Sequence, residues 1–504
     1  MLNRETKKNN PSLIKSKSLA WKFIEEVESV VKKLNPYYYA LFAKKRLIRS
    51  LSDIKYAIKS PPHFILNSIE FCCAFHRKTH SNHTDEKKFF EIMRIFKQYK
   101  DPFVEFASLK DIDYALSYQM CLQLPIQHVY GRYDIARGLA IFHNNDPIPL
   151  CAESFMEKFG YSIRDWFYMH WIIHAIQFDS RNLNNVFSDS FLLNANISSL
   201  PKDSVKPFLK FISIDVPEIK TIINKRKISN PHLILSYPSI FIEHPVIHFD
   251  NGKYMVVHDE YLLNNSWAGL IKIMRQWEEF SSEMKGSFHA YVKRVTRDIL
   301  PDTIIHGDRE IEKLSLGRSC DFIFEFKDCI LLVECKSIIY AKELFTEEAK
   351  KHDTSAHKIV DGIIQIISTA NNIRNGRYGE LFEGSGKDLY AIILTFGYIP
   401  SANSDEFWNS IITPALTAKD SHHDKSISVL KYKPQIFDIR SYEWLLLIAA
   451  TKSGEISKIL DEKLIEPYHT VGDWPLYLER KLPREYNIKF LDNILENFFN
   501  WFKD

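Results

Sequence analysis

No uncharged run in this 504-residue chain reaches the roughly 18 residues that a membrane-spanning helix needs. There is no glycine-rich, phosphate-cradling loop ahead of a helix, which argues against ATP hydrolysis by the chain itself. A Gly-x-Ser-x-Gly elbow is also missing, so the strained serine nucleophile of α/β hydrolases is not expected. No segment repeats at a fixed period, and none is of low complexity. The seven cysteines are odd in number and share no repeating spacing, so reduced thiols and a cytoplasmic location are expected. The opening residues, "MLNRETKKNNPSLIKSKS", are basic but lack the apolar stretch of a secretory signal. One sign of charge does not dominate either. With 66 Lys/Arg against 63 Asp/Glu the net charge is +3, so the chain as a whole is not a polycation.

What is present is ordinary globular material in quantity. Hydrophobic residues make up 45% and aromatics 13% of the chain, including 35 Phe and 24 Tyr to fill large cores. The length exceeds what a single core supports, and two or three domains are expected. Charge is uneven locally, since residues 1–50 carry 12 Lys/Arg against four Asp/Glu. Such an excess suits a solvated helix face, or a phosphate-contacting face in which Lys44, Lys45, Arg46 and Arg49 take part.

Residues from about 18 to 225 read as helices. In "LAWKFIEEVESVVKKL", Leu19, Phe23, Val27, Val30, Val31 and Leu34 recur at three- and four-residue spacing. "FFEIMRIFKQY" and "SFMEKFGYSIRDWFYMHWIIHAI" read the same way. Aromatic residues at helical spacing, as in "RDWFYMHWIIHAI", suit a core better than a base-stacking platform. "SIFIEHPVIHFDNGKYMVVHDEYLL" predicts a hairpin turning at Asp250-Asn251-Gly252, grouped with the C-terminal half. A helix over 266–300, broken near Gly286, follows. "SCDFIFEFKDCILLVECKS" predicts two antiparallel strands, 322–326 and 330–333, joined by a tight turn at Lys327-Asp328. A helical stretch with a loop near 353–355 comes next, then a strand in "DLYAIILTFGYI" and a strand plus helix in "SISVLKYKPQIFDIRSYEWLLLIAAT". The pattern predicts an α/β protein, helices packed on a mixed sheet, in three parts. These are a mainly helical recognition or regulatory domain over 1–225, an α/β domain over 226–445 and a helical extension over 446–504.

The chemistry concentrates where the apolar run 330–333 ends. Glu-x-Lys by itself carries little information, and Glu86-Lys87-Lys88, Glu348-Ala349-Lys350 and Glu479-Arg480-Lys481 are further copies in polar or helical surroundings. Glu334-Cys335-Lys336 differs because it closes an apolar strand. Residues i and i+2 of a strand share a face, so Glu334 and Lys336 point the same way. Antiparallel pairing across the short turn brings Asp321 next to Glu334. Two buried carboxylates side by side are costly unless a cation compensates them. A divalent metal ion does this, and a salt-bridge cluster at a strand end is the bland alternative. "CCAFHRKTHSNH" has zinc-ligand residue types, but Cys72 and Cys73 beside Phe71 and Phe75 suit a core better.

Asp321, twelve intervening residues and then Glu334-Cys335-Lys336 after a hydrophobic strand resemble the PD-(D/E)xK nuclease superfamily, whose fold is that of restriction endonucleases and RecB-like nuclease domains. The resemblance spans about residues 235–445, is strongest over 283–366 and does not extend to the N-terminal half. Gln365 in "VDGIIQI" matches a glutamine that RecB-like members carry on the following helix. "MKGSFHAYVKRVTRDIL" is similar to the family's opening helix, but His289 stands where a glutamate often does, with Glu283 a substitute if that helix is shifted. The resemblance implies a restriction-endonuclease-like mixed sheet flanked by helices. It implies Mg²⁺, with Mn²⁺ an alternative, held by Asp321, Glu334 and the Cys335 carbonyl. Lys336 would orient the attacking water or stabilise the phosphorane, and Gln365 would position Lys336 or a phosphate. The expected activity is phosphodiester hydrolysis in nucleic acid, DNA ahead of RNA, with no membrane partner. By analogy it suggests restriction or anti-phage defence, with room for a homo-oligomer or a protein trigger. A catalytically inactive binding module that keeps the fold, or a nuclease acting on RNA, are the alternatives.

Overall fold

The computed structural model describes residues 11–77, 86–99, 133–143, 150–177, 186–188, 202–229, 239–307, 318–338, 354–379, 386–399, 402–419, 427–452, 454–465 and 474–500, with 190, 231, 234–235, 237 and 311 between them. They form a mixed α/β structure of many helices and two small sheets. Among them no helix is long and apolar enough to cross a membrane. The described residues fall into two compact units, one drawn from 1–132 and 153–276, the other from 133–152 and 277–503.

The first unit is led by the helices Pro11–Val31, Pro36–Ser52, Pro62–Phe75 and Glu86–Gln98. Their apolar stripes close on one core that contains Ile24, Val27, Val31, Tyr39, Leu47, Ile69, Phe71 and Phe96. Proline at the first position and the Asn35 side chain, which accepts from the N–H groups of Tyr37 and Tyr38, start the second helix. Cys72 and Cys73 are fully buried in this core, as their neighbours suggested, while His80 and His83 lie outside the described residues. The basic cluster on the second helix does not form a single phosphate-facing surface. Lys44 is interior, and burial pushes its pKa down to about 8 although Asp259 works the other way. Arg46 pairs with Glu86 and lies over the Phe42 ring, and Arg49 lies over Tyr56.

Four short strands complete this unit: β1 Val186–Phe187, β2 Ser213–Asp215, β3 Val246–His248 and β4 Tyr254–Val256, in the order β1-β4-β3-β2. The hairpin forms where expected, with Gly252 at φ +71 supplying the left-handed residue of its turn. It does not join the sheet that carries Glu334, however. β4 pairs antiparallel with β1, and β3 pairs parallel with β2, all within the first unit. The first unit therefore contains a sheet and runs beyond residue 225.

The second unit holds β5 Ile304–Gly307, β6 Phe322–Glu325, β7 Cys329–Lys336, β8 Asp388–Thr395 and β9 Gln435–Asp438 in that order. The first two pairings are antiparallel, the last two parallel. β7 is central, and every residue of it but Lys336 is buried, which is why its sequence is a continuous apolar run. The helix expected over 266–300 is two helices, Asp259–Met274 and Phe280–Ile299. The break comes at 275–279, and Gly286 continues inside the second helix, where an added Cβ would meet nothing within 4 Å. The long helix after β7 is described over Thr354–Arg374, and the stretch 339–353 lies outside the described residues.

A buried ionic network ties the second unit together. The Arg137 guanidinium donates to Glu443 through Nε at 2.7 Å and Nη2 at 2.6 Å, and also pairs with Asp134. Tyr291 donates its hydroxyl to the same Glu443 at 2.6 Å, and Arg440 pairs with Asp134. The network joins the helices Asp134–Phe142, Phe280–Ile299 and Ile439–Thr451, and it explains why a segment distant in sequence belongs with this unit. Removing one partner strands a buried charge. Glu443→Ala should therefore cost about 3–5 kcal/mol, read as a lower urea midpoint at unchanged slope. A cost below about 1 kcal/mol would mean that the network adds little.

Candidate functional site

Register builds the site. Phe322 on β6 pairs with Val333 on β7, so the next residue out on each strand, Asp321 and Glu334, stand opposite. Each carboxylate is held by the other strand's backbone. The Asp321 N–H donates to Glu334 Oε2 at 3.0 Å, and the Cys335 N–H donates to Asp321 Oδ2 at 2.8 Å. Both side chains are almost fully buried. The salt-bridge alternative is also partly realised, since Lys336 Nζ donates to Glu334 Oε1 at 2.6 Å.

Lys336 has a second acceptor in Gln365 Oε1, at 3.0 Å, while Gln365 Nε2 donates to the Ser319 carbonyl at 3.1 Å. Gln365 thus accepts a hydrogen bond from the ammonium and ties it to the helix Thr354–Arg374. One turn on, the Thr369 hydroxyl donates to the Gln365 carbonyl and accepts the Cys320 N–H at 2.8 Å, pinning the residue before Asp321 to the helix. Gly362 makes this approach possible. A Cβ there would stand 2.9 Å from Lys336 Cε and 3.0 Å from Glu334 Cγ. Neither Gly362 nor Thr369 stood out in the sequence.

The helix Phe280–Ile299 approaches from the other face. Successive strand residues alternate, so Cys335 points away from Glu334 and Lys336 and toward this helix. His289 Nε2 lies 3.2 Å from Asp321 Oδ2, and Lys285 Nζ, four residues earlier on the same helix face, lies 3.4 Å from Asp321 Oδ1. Glu283, expected as a substitute ligand if this helix is shifted, is turned by helical periodicity away from the line shared by Lys285 and His289. His289 itself reaches the site.

The two carboxyls carry opposite shifts at similar burial. For Asp321, burial works to raise the pKa, but the hydrogen bond and charge of His289, the Lys285 ammonium and the Cys335 N–H outweigh it and hold the carboxyl below its usual range. For Glu334, burial and the Asp321 charge push the pKa up to about 7 against the pull of Lys336. Among the described residues, one group of three metal-ligating side chains stands out. The ligand atoms of His289, Asp321 and Cys335 all lie within 4.8 Å of one another. Glu334, expected as a ligand, is outside that trio and is engaged by Lys336 and the Asp321 N–H. Cys335, expected to offer its carbonyl, contributes its Sγ to the trio.

No family model, curated protein or solved structure matches the chain.

The raised Glu334 pKa fixes a pH dependence. Between the unfolded value of 4.5 and the folded value of about 7, the folded chain holds a proton on Glu334 that the unfolded chain has released, so the contribution of this group falls as pH rises, against buried histidines such as His170 and His258 whose lowered pKa values work the other way. Glu334→Gln should therefore shift the slope of stability against pH in the positive direction, in urea unfolding measured from pH 4.5 to 7.5. An unchanged slope would show that Glu334 is not the group responsible.

Proposed function

We propose that the second unit is a metal-dependent phosphodiesterase of the PD-(D/E)xK type, acting on nucleic acid with DNA as the favoured substrate. The observation that carries this reading is the junction of β6 and β7, where two reciprocally bonded carboxylates stand beside an ammonium held by Gln365. The strand order supports a restriction-endonuclease-like core, with an antiparallel β5-β6-β7 meander and β8 and β9 added in parallel.

The carboxylate pair suits a divalent cation, since burial and the Asp321 charge drive the Glu334 carboxyl toward protonation and a cation would relieve it. Asp321, Glu334 and the Cys335 carbonyl are the oxygen donors that would hold Mg²⁺ or Mn²⁺, ions that accept few carboxylates and keep water and phosphate oxygens. The bound ion would supply charge neutralisation at phosphorus and a more acidic water. Lys336 uses two of its three N–H donors on Glu334 and Gln365, leaving one to orient water or a phosphate oxygen. The first unit is read as a recognition or regulatory module, and a cytoplasmic role in restriction or phage defence follows by analogy only.

The roles separate by substitution. Purified protein with plasmid, single-stranded DNA or total RNA should cleave one of them with Mg²⁺ or Mn²⁺ and none with EDTA. Asp321→Ala should lose metal binding and cleavage together. Lys336→Ala should keep calorimetric metal binding while turnover falls by about 10² to 10⁴. If the ions bind and no substrate is cut, the fold serves binding alone. If the wild-type chain takes up no divalent ion even with nucleic acid present, the nuclease reading fails.

A further inference from the structure

On the side of Asp321 that faces the helix Phe280–Ile299, the converging side chains differ from the oxygen donors shared with Glu334. Mg²⁺ takes oxygen donors, and of the three converging ligand atoms only the Asp321 carboxylate offers oxygen. Imidazole nitrogen and thiolate sulfur are the ligands of zinc and similar borderline ions. We propose that His289 Nε2, Asp321 Oδ2 and Cys335 Sγ form a three-ligand site for a thiophilic divalent ion, with Zn²⁺ the favoured occupant. This site stands on its own donors and does not rest on the nuclease reading.

Three observations converge on it. Two nitrogen or oxygen ligands on a tetrahedral zinc ion stand about 3.3 Å apart. His289 Nε2 and Asp321 Oδ2 are already 3.2 Å apart, while the sulfur, within 4.8 Å of both, has at most a modest rotation to make. The ligands come from three elements of the second unit: the helix Phe280–Ile299, the turn before β6, and β7. The core therefore sets their convergence rather than one flexible loop. Charge also balances. When the Zn–S bond forms, the Cys335 thiol releases its proton to solvent, and a thiolate with one carboxylate neutralises the dication in a buried setting. The cations now beside Asp321 are Lys285, whose exposed side chain can swing into water when a metal ion takes its place, and His289, whose imidazole gives up the proton that makes it a cation when Nε2 binds the metal. Three protein ligands leave a fourth position for water, the arrangement of reactive rather than closed structural zinc sites.

The test uses the full chain and metals alone. Zn²⁺ titrated by calorimetry in two buffers of different ionisation enthalpy should bind one equivalent with release of the Cys335 thiol proton and of whatever proton His289 Nε2 carries at the pH used. Co²⁺ in its place should show a thiolate-to-cobalt charge-transfer band in the near ultraviolet. Cys335→Ser is nearly isosteric and keeps the six other cysteines. It should abolish the band and weaken Zn²⁺ by about 10²-fold or more. His289→Gln should weaken Zn²⁺ similarly while keeping the band at saturating Co²⁺, which separates ligand loss from unfolding. A band that survives Cys335→Ser, equal Zn²⁺ affinity in that variant, or a wild-type chain that binds Mg²⁺ but not Zn²⁺ would each overturn the site. The last result would leave the nuclease reading standing. Zinc binding without cleavage of any nucleic acid would support the site and count against that reading alone.

Discussion

Everything at the junction of β6 and β7 depends on two backbone hydrogen bonds that cross each other. Asp321 gives its N–H to Glu334, and Cys335 gives its N–H to Asp321. An isolated carboxylate in the interior is costly, but one that accepts backbone donors is tolerated. The exchange also fixes the two strands in register where the regular ladder ends. A one-residue slip would break both bonds and turn Glu334 and Lys336 to the opposite face of the sheet. The pairing that stabilises the strand ends is therefore the same pairing that assembles the chemistry.

That constraint makes two buried carboxyls behave differently. Asp321 lies between the sheet and the helix that carries Lys285 and His289, and these groups with one N–H stabilise its charge. Glu334, packed against Gly362 of the helix Thr354–Arg374, is driven toward protonation by burial and by the Asp321 charge, with a single ammonium to oppose them. Environments that push neighbouring acids apart are how one scaffold supplies both a permanent anion and a proton acceptor near neutral pH. The arrangement is asymmetric because the two faces are covered by unrelated helices.

The sequence made the sheet legible wherever the pattern was long. The run 330–333 and the turn at Lys327-Asp328 sufficed to set the antiparallel pair and to place Asp321 opposite Glu334, because register follows from a short turn. β8 was readable as an apolar run. β1, β2 and β5, of two to four residues, were too short to show alternation, and the hairpin at Gly252 was grouped with the wrong half because its partners were those short strands. Lys44 read as surface charge from composition, although its helix buries that face. The glutamine that bonds Lys336 carries no local signal beyond its resemblance to a glutamine on the following helix of RecB-like sequences. His289 was noticed only as a departure from a family pattern, since nothing local says that a histidine on one helix meets an aspartate more than thirty residues away. Gly362 and Thr369 act through helix-on-sheet packing, which leaves no periodic trace.

The tripeptide Glu334-Cys335-Lys336 is the smallest unit in which these levels meet. Strand alternation sends its first and third side chains to the helix Thr354–Arg374 and its middle one to the helix Phe280–Ile299. The first face demands close approach, which Gly362 allows by having no Cβ to strike Lys336 and Glu334. The second face needs no such clearance but depends on helix rotation, because Lys285 and His289 reach Asp321 only if that helix presents one particular stripe. Tyr291, on the same helix, is bonded to Glu443 within the Arg137 network, and this sets the rotation from a distance. A strand of eight residues is thus aligned by a glycine on one side and by a buried ionic network on the other. Asp321, bonded to the backbone of the middle residue, is where the two alignments come together.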